Sequence, residues 1–363
     1  MKYNGIRKKT NKIAIGDVFI GGDAPVAIQS MTNTDTLDAK ATISQIKALA
    51  QNGCDIVRIA VPTVEAAETV KRIKKEGIVT PIVADIHFDY KIALECVKFG
   101  VDKIRINPGN IGADYKIREV CAACSDADIP IRIGVNSGSL EKKILEKYGS
   151  PTPDALCESA LYHLSLLEKF GFRKSVISIK TSNVPDMILA NKKLSALVDC
   201  PLHLGVTEAG SEIGGIVKSS IGIGSLLCDG IGDTIRVSLT ADPLLEAAAA
   251  QRLLTAIGLE GQSGMNVISC PTCGRTKIDL IPIVARFEKR AAEEGLLGFP
   301  INVALMGCVV NGPGEAREAD IGIAGGVGEA VIISRGEIIG KIKEGDIVET
   351  LIEKIKEIKK ARN

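Results

Sequence analysis

Residues 102–107 read DKIRIN and residues 130–136 read PIRIGVN, two short runs in which charged or amide side chains alternate with Ile and Val. A strand turns successive side chains to opposite faces. Arg105 and Asn107 therefore oppose Ile104 and Ile106, and Arg132 and Asn136 oppose Ile131, Ile133 and Val135. Outward from this pair the same kind of run recurs: VAIQSM (26–31), DIVRIAV (55–61), PIVADIH (81–87), SVISIKT (175–181), PLHLGVT (201–207) and DTIRVSL (233–239). Amphipathic stretches lie between them, such as 38–51, 63–76, 114–126, 152–170 and 184–198. Eight strand–helix units predict an α/β fold, a (β/α)8 TIM barrel. An open doubly wound sheet is the rival, but six strands would suffice for it.

The outer face of a parallel barrel must be apolar to receive its helices. The polar set then points inward, near the C-terminal mouth where such barrels place their sites. Asp85 and His87 share that face, as do Ser178 with Lys180, His203 with Thr207, and Arg236 with Ser238. Five cations converge there: Arg58, Arg105, Arg132, Lys180 and Arg236. Burying so much positive charge is costly unless anions accompany it. Two or more phosphates would compensate, and the guanidinium fork fits phosphate oxygens. The alternative is an internal salt-bridge network with Asp85 and Glu208, although two carboxylates do not balance five cations. His87, at a strand end among the cations, is a candidate substrate contact. His203 lies deeper in its strand and reads as structural.

The 363 residues suit one large domain and one smaller one, and 45% hydrophobic residues can build a sizeable core. Net charge is +1, from 45 basic and 44 acidic residues, with no basic stripe, so no nucleic-acid partner is expected. Aromatics make up 3% and Trp is absent, which also argues against base stacking. The basic start MKYNGIRKKT lacks an apolar segment behind it and does not read as a signal peptide. No apolar run is long enough to predict a membrane span. Ten cysteines without a secretory signal suggest a reducing, cytoplasmic setting, where they are packing residues, metal ligands or redox groups.

The Gly-rich segment GLEGQSGMN (258–266) reads as a linker. Residues 1–258 would form the barrel domain, and residues 265–363 a small α+β domain. The latter holds a helix near 280–295, the strand INVALMG (301–307), a Gly-rich loop, a strand pair near 330–341 and a charged helix over 346–361.

The loop CPTC (270–273) is a C-x2-C turn that aims two thiolates at one metal centre. Cys308 lies in MGCVVNGPGEA (306–316), just past a predicted strand. No fourth Cys or His follows the linker, and Glu315, in the same loop as Cys308, is the nearest candidate. Three thiolates and one carboxylate would be unusual for structural zinc. They suit a redox-active iron–sulfur cluster with one replaceable oxygen ligand. A thioredoxin-like pair and a zinc site remain alternatives. Cys121 and Cys124 lie in a predicted helix and read as packing. Cys54, Cys96, Cys157, Cys200 and Cys228 read as buried small hydrophobes.

The motifs QSMTNTDT (29–36), VRIAVP (57–62), KIRINPGN (103–110), PIRIGVNSGSLE (130–141), HLGVTEAG (203–210), GIGDTIRVSL (230–239), CPTCGR (270–275) and MGCVVNGPGEA (306–316) together resemble the 4-hydroxy-3-methylbut-2-enyl diphosphate synthase family. These are iron–sulfur enzymes of the non-mevalonate isoprenoid pathway, and the resemblance is to their two-domain bacterial form. It implies reductive ring opening and dehydration of 2-C-methyl-D-erythritol 2,4-cyclodiphosphate, with a [4Fe–4S] cluster passing on electrons from flavodoxin or ferredoxin. It places cluster ligands at Cys270, Cys273, Cys308 and Glu315. Diphosphate contacts fall on Arg58, Arg105, Arg132 and Lys180, with Asn107, His87 and Asn136 nearby. Arg236 and Ser238 share their inward face. Glu208, in the TEAG motif, becomes a candidate proton-handling acid near the substrate's C3 hydroxyl. The resemblance also implies a homodimer in which one subunit's cluster domain caps the other's barrel. Two further readings stay open: a barrel similar to dihydropteroate synthase with a zinc-stabilised small domain, and a non-enzymatic iron–sulfur carrier or sensor.

Overall fold

The structure, a computed structural model, describes residues 7–259, 264–310, 314 and 316–362. The chain divides into two units, with the boundary between residues 260 and 261.

In the first unit a short hairpin, β1 (Ile13–Ile15) and β2 (Val18–Ile20), precedes the barrel. Eight parallel strands follow: β3 (Ala27–Met31), β4 (Ile56–Ala60), β5 (Ile82–Asp85), β6 (Lys103–Ile106), β7 (Ile131–Asn136), β8 (Ser175–Lys180), β9 (His203–Leu204) and β10 (Thr234–Ile235). The hydrogen-bonded order is β8-β7-β6-β5-β4-β3-β10-β9. A parallel bridge from Ile177 to Leu202 closes the ring. Every expected strand is present, and each lies within the run that predicted it.

The alternation dictates this wall. Outward-facing Ile59, Ile104, Ile133 and Ile177 are fully buried against the helices. Those helices start where a short polar side chain can accept from a free N–H of the first turn. Asp38, Thr63, Asp89, Thr152, Asn183 and Asp242 each do so. The hairpin, which the strand pattern did not reveal, has a separate task. Its Ile13, Ile15 and Ile20 pack on Ala27, Ile56, Val83 and Val176 and form an apolar floor under the barrel interior.

The second unit carries a five-stranded mixed sheet in sequence order: β11 (Asn266–Ser269), β12 (Asn302–Met306), β13 (Ile321–Gly325), β14 (Glu329–Ser334) and β15 (Glu337–Lys343). The first three strands run parallel, and the last two pairings are antiparallel. Helices Leu280–Glu293 and Ile347–Arg362 cover one face through a core around Phe287, Val303, Ile323 and Leu351. Strands β11 and β13 add to the sequence reading. NVIS is short and half exposed, and IGIAG looks like a loop because of its glycines. No described helix is long and apolar enough to cross a membrane.

Candidate functional site

The strand register stacks the inward side chains side by side. Asp85 stands opposite Arg105, which stands opposite Arg132, and Asn136 stands opposite Lys180. A cavity of about 170 Å³ opens among them. Arg58, Arg105, Arg132, Lys180 and Arg236 all line it, as do His87, Asn136 and Ser238. Asp85, Ser178 and Thr207 complete its wall. Two glycines make room for the long side chains. A Cβ on Gly134 would overlap the Arg105 guanidinium, and one on Gly205 would come 2.8 Å from Lys180 Nζ.

The cations are not equally compensated. Arg105 Nη1 donates to Asp85 Oδ1 at 2.9 Å, and Arg58 Nε lies 3.7 Å from Asp85 Oδ2. His87 Nε2 is 3.4 Å from the same carboxylate, with half of its ring exposed. Burial alone would raise the Asp85 carboxyl. Arg58, a hydrogen bond from His87, and Arg105 outweigh it and hold the group well below the usual carboxylate range. Burial pushes Arg58 down to about 10. Arg236 is gripped by Glu246, at 3.1 and 3.2 Å from its Nε and Nη2. Arg132 and Lys180 are different. Among the described residues Arg132 reaches only Gln29 Oε1, at 3.4 Å, and neither cation has a carboxylate in ion-pair range. Burial first, and then the neighbouring cations, push both well below their ordinary values. A buried cation with no counter-ion is costly. This mouth is therefore built to receive an anion.

The internal carboxylates are Asp85 and Glu246, not Asp85 and Glu208. Glu246 is buried on helix Pro243–Ala256, where it also accepts from Ser30 Oγ at 2.8 Å and Leu239 N at 3.1 Å. One acidic residue in the otherwise apolar run PLLEAAAA (243–250) was the available signal. Glu208 is exposed, in a left-handed backbone conformation with φ of 51°, and does not line the cavity. Asn107 is buried but does not line it either. Its Oδ1 accepts from Gly109 N at the start of helix Pro108–Ile111, and its Nδ2 donates to Ser139 Oγ. His203 is fully buried, with Nδ1 2.7 Å from Thr234 Oγ1, as the structural reading expects.

In the second unit, β11 and β12 are parallel neighbours, so the loops at their C-terminal ends leave side by side. Cys270 follows β11 at once, and Cys308 comes two residues after β12 ends. The Gly307 N–H donates to Cys270 Sγ at 3.2 Å, and Lys277 N donates to Gly307 O at 2.9 Å, which ties the two loops together. Cys273 is exposed. Its thiol is drawn down by the Arg275 backbone N–H and then by the Arg275 side chain. Thr272, beside it, has φ of 63°. Among the described residues no three Cys, His, Asp or Glu side chains already form a metal-sized group. Glu315 lies outside the described residues. The donor chemistry nonetheless fits an iron–sulfur group, because N–H donors onto sulfur favour thiolates. The remaining cysteines divide as expected, with Cys54, Cys96, Cys121, Cys124, Cys157 and Cys200 buried. Cys228 departs from that set and is only half-buried.

Fold and site thus define a TIM-barrel protein with an anion-seeking mouth, joined to a small α+β domain with paired cysteine loops. The GcpE TIM-barrel domain matches residues 10–251, and the GcpE protein C-terminal domain matches residues 266–357. The chain belongs to the GcpE family. It is 57% identical to 4-hydroxy-3-methylbut-2-en-1-yl diphosphate synthase (flavodoxin) of Clostridium tetani, over 97% of this chain and 99% of that one. It is 56% identical to the protein of the same name from Caldanaerobacter subterraneus subsp. tengcongensis, over 98% and 99%. Among solved structures, dihydropteroate synthase of Coxiella burnetii aligns with a TM-score of 0.46 and 14% identity, over 69% of this chain and 99% of that one.

Proposed function

We propose that this chain is a 4-hydroxy-3-methylbut-2-enyl diphosphate synthase. It takes 2-C-methyl-D-erythritol 2,4-cyclodiphosphate, two electrons and protons, opens the ring and releases the C3 hydroxyl as water. The observation that carries this reading is the mouth in which, among the described residues, Arg132 and Lys180 have no carboxylate in ion-pair range, in a chain that shares more than half of its residues with synthases of that name. A cyclic diphosphate supplies the missing anions, and guanidinium forks grip its oxygens.

In this reading residues 1–258 hold the substrate and residues 265–363 hold a [4Fe–4S] cluster. Arg58, Arg105, Arg132, Lys180 and Arg236 neutralise the diphosphate. Asn136 and Ser238 offer hydrogen bonds beside it, and His87, held by Asp85, meets it at the rim. Asn107 keeps the loop after β6 in place rather than touching phosphate. Cys270, Cys273 and Cys308 would bind the cluster, with Glu315 as the exchangeable fourth ligand. When bound, the cluster supplies electrons one at a time, received from flavodoxin, the donor in the relatives' names, or from ferredoxin. Glu208, exposed in the single chain, serves as the acid once the mouth is capped. A homodimer in which each cysteine domain serves the other subunit's barrel would provide that cap.

The test is anaerobic purification, iron and sulfide assay, and addition of the cyclodiphosphate with reduced flavodoxin. Iron, sulfide and the allylic diphosphate are expected. Zinc in place of iron, or iron without product, would reject the reading. Glu315→Ala should abolish turnover while the barrel stays folded.

A further inference from the structure

Beneath the mouth, the barrel interior holds side chains that the proposed reaction does not use. Lys103 stands two residues before Arg105 on β6. It therefore faces inward one step lower, roughly 7 Å nearer the floor. It is fully buried, and among the described residues its Nζ has no hydrogen-bond partner. Gln29 Nε2, Arg132 Nε and His203 Nε2 are likewise buried and unpartnered. Each of these residues is 1% exposed or less. Gln29 is joined to Arg132 through its Oε1. His203 engages Thr234 through Nδ1, which leaves Nε2 to carry the ring proton when Nδ1 accepts. Four donors with nothing to receive them is an unusual accumulation for a protein interior.

No carboxylate can serve them. The buried acids among the described residues are Asp85, Asp233 and Glu246. Asp85 is held by Arg58 and Arg105. Asp233 accepts from Arg7, Thr10 and the Leu202 N–H. Glu246 is taken by Arg236, Ser30 and Leu239. Burial, then Arg132 and Arg58, push the Lys103 amine well below its ordinary value. A water molecule would offer an acceptor but no charge. Below lies the apolar floor of Ile15, Ile56, Val83 and Val176. Above, the mouth cavity is lined by Arg132 but not by Lys103, Gln29 or His203.

We propose that Lys103, Gln29, His203 and the Nε of Arg132 form an interior site for a small monovalent anion of halide size, beneath the diphosphate mouth and sharing only Arg132 with it. The anion keeps Lys103 charged and holds Arg132 from below, so that its outer nitrogens face the mouth.

The test uses full-length, cluster-loaded protein in two arms, neither of which involves the substrate, so its failure is distinct from failure of the proposed reaction. In crystals grown in sodium bromide, an anomalous peak is expected in contact with Lys103 Nζ. In melting experiments, bromide should raise the Tm over sodium gluconate of equal ionic strength by about 2 °C or more. Lys103→Met should abolish that difference. If Lys103→Met does not fold, Gln29→Met removes one donor and should raise the bromide concentration of half-effect about tenfold. Bromide found only on surface lysines, or a halide dependence unchanged in the variant that folds, would overturn the proposal and leave Lys103 as a buried neutral amine.

Discussion

Arg58, Arg105, Arg132 and Lys180 stand on strands, whereas Cys270, Cys273 and Cys308 stand on loops that follow strands. Strand register brings the cations within one small cavity before any ligand arrives. In the cysteine region, parallel pairing of β11 and β12 only sets two loops beside each other. The mouth's charge is already stressed, because among the described residues neither Arg132 nor Lys180 has a carboxylate in ion-pair range. The cysteine loops carry a left-handed backbone at Thr272 and an exposed side chain at Cys273. A preformed cluster of cations thus coexists with cysteines carried on loops, and each is testable without disturbing the other.

The largest effect is expected from Cys308→Ser. Iron content and turnover should vanish, while the barrel keeps its circular-dichroism spectrum and its affinity for the cyclodiphosphate. Loss of substrate affinity in this variant would break the separation between the regions. Arg132→Met should do the converse. It should weaken substrate binding about a hundredfold, or about 2.7 kcal/mol, at unchanged iron and sulfide content, as read by titration calorimetry. Affinity unchanged by this substitution would remove Arg132 from the mouth's function.

Glu246→Gln sharpens the barrel side. It strips a buried counter-ion from Arg236 but keeps a side chain of the same size. Stability should fall by about 3 kcal/mol, the low end for breaking a buried pair, as measured by urea unfolding. The smallest effect concerns pH. Burial and the surrounding cations, Arg132 first, hold the His203 imidazole well below 6.5. The unfolded chain takes up a proton below about 6.5 that the folded barrel refuses, so this contribution is intact above 6.5 and erodes as the pH falls, by at most about 1.4 kcal/mol per pH unit. His203→Gln should flatten the melting profile between pH 6.5 and 5. The same slope in both proteins would assign the acid limb to other groups.

Much of the barrel was legible because both its covering and its filling follow one rule of period two. Ile104 and Arg105 are neighbours in sequence and opposites in environment, and that contrast located the wall and the mouth together. The loops obeyed no such rule. Asn107 looked like one more inward amide, yet it sits past the end of β6 and caps a helix. Glu208 was named a candidate acid from its TEAG motif, yet in the single chain it is exposed, in a left-handed backbone conformation, and does not line the cavity. The hairpin at Ile13–Ile20 and strand β13 were missed because three-residue strands and glycine-rich strands carry too little periodicity to register.

The sequence alone determined the eight strand–helix units, the inward polar face and the pair of cysteine loops, since alternation and spacing are local properties of the chain. The tertiary structure decided which cations keep a partner. Asp85 and Glu246 reach Arg105 and Arg236 across 20 and 10 residues of sequence, and Gln29 reaches Arg132 across 103. Such pairings arise only when the barrel closes. Burial then sets their consequence, because a cation left over inside a closed wall cannot turn to water and must wait for an anion.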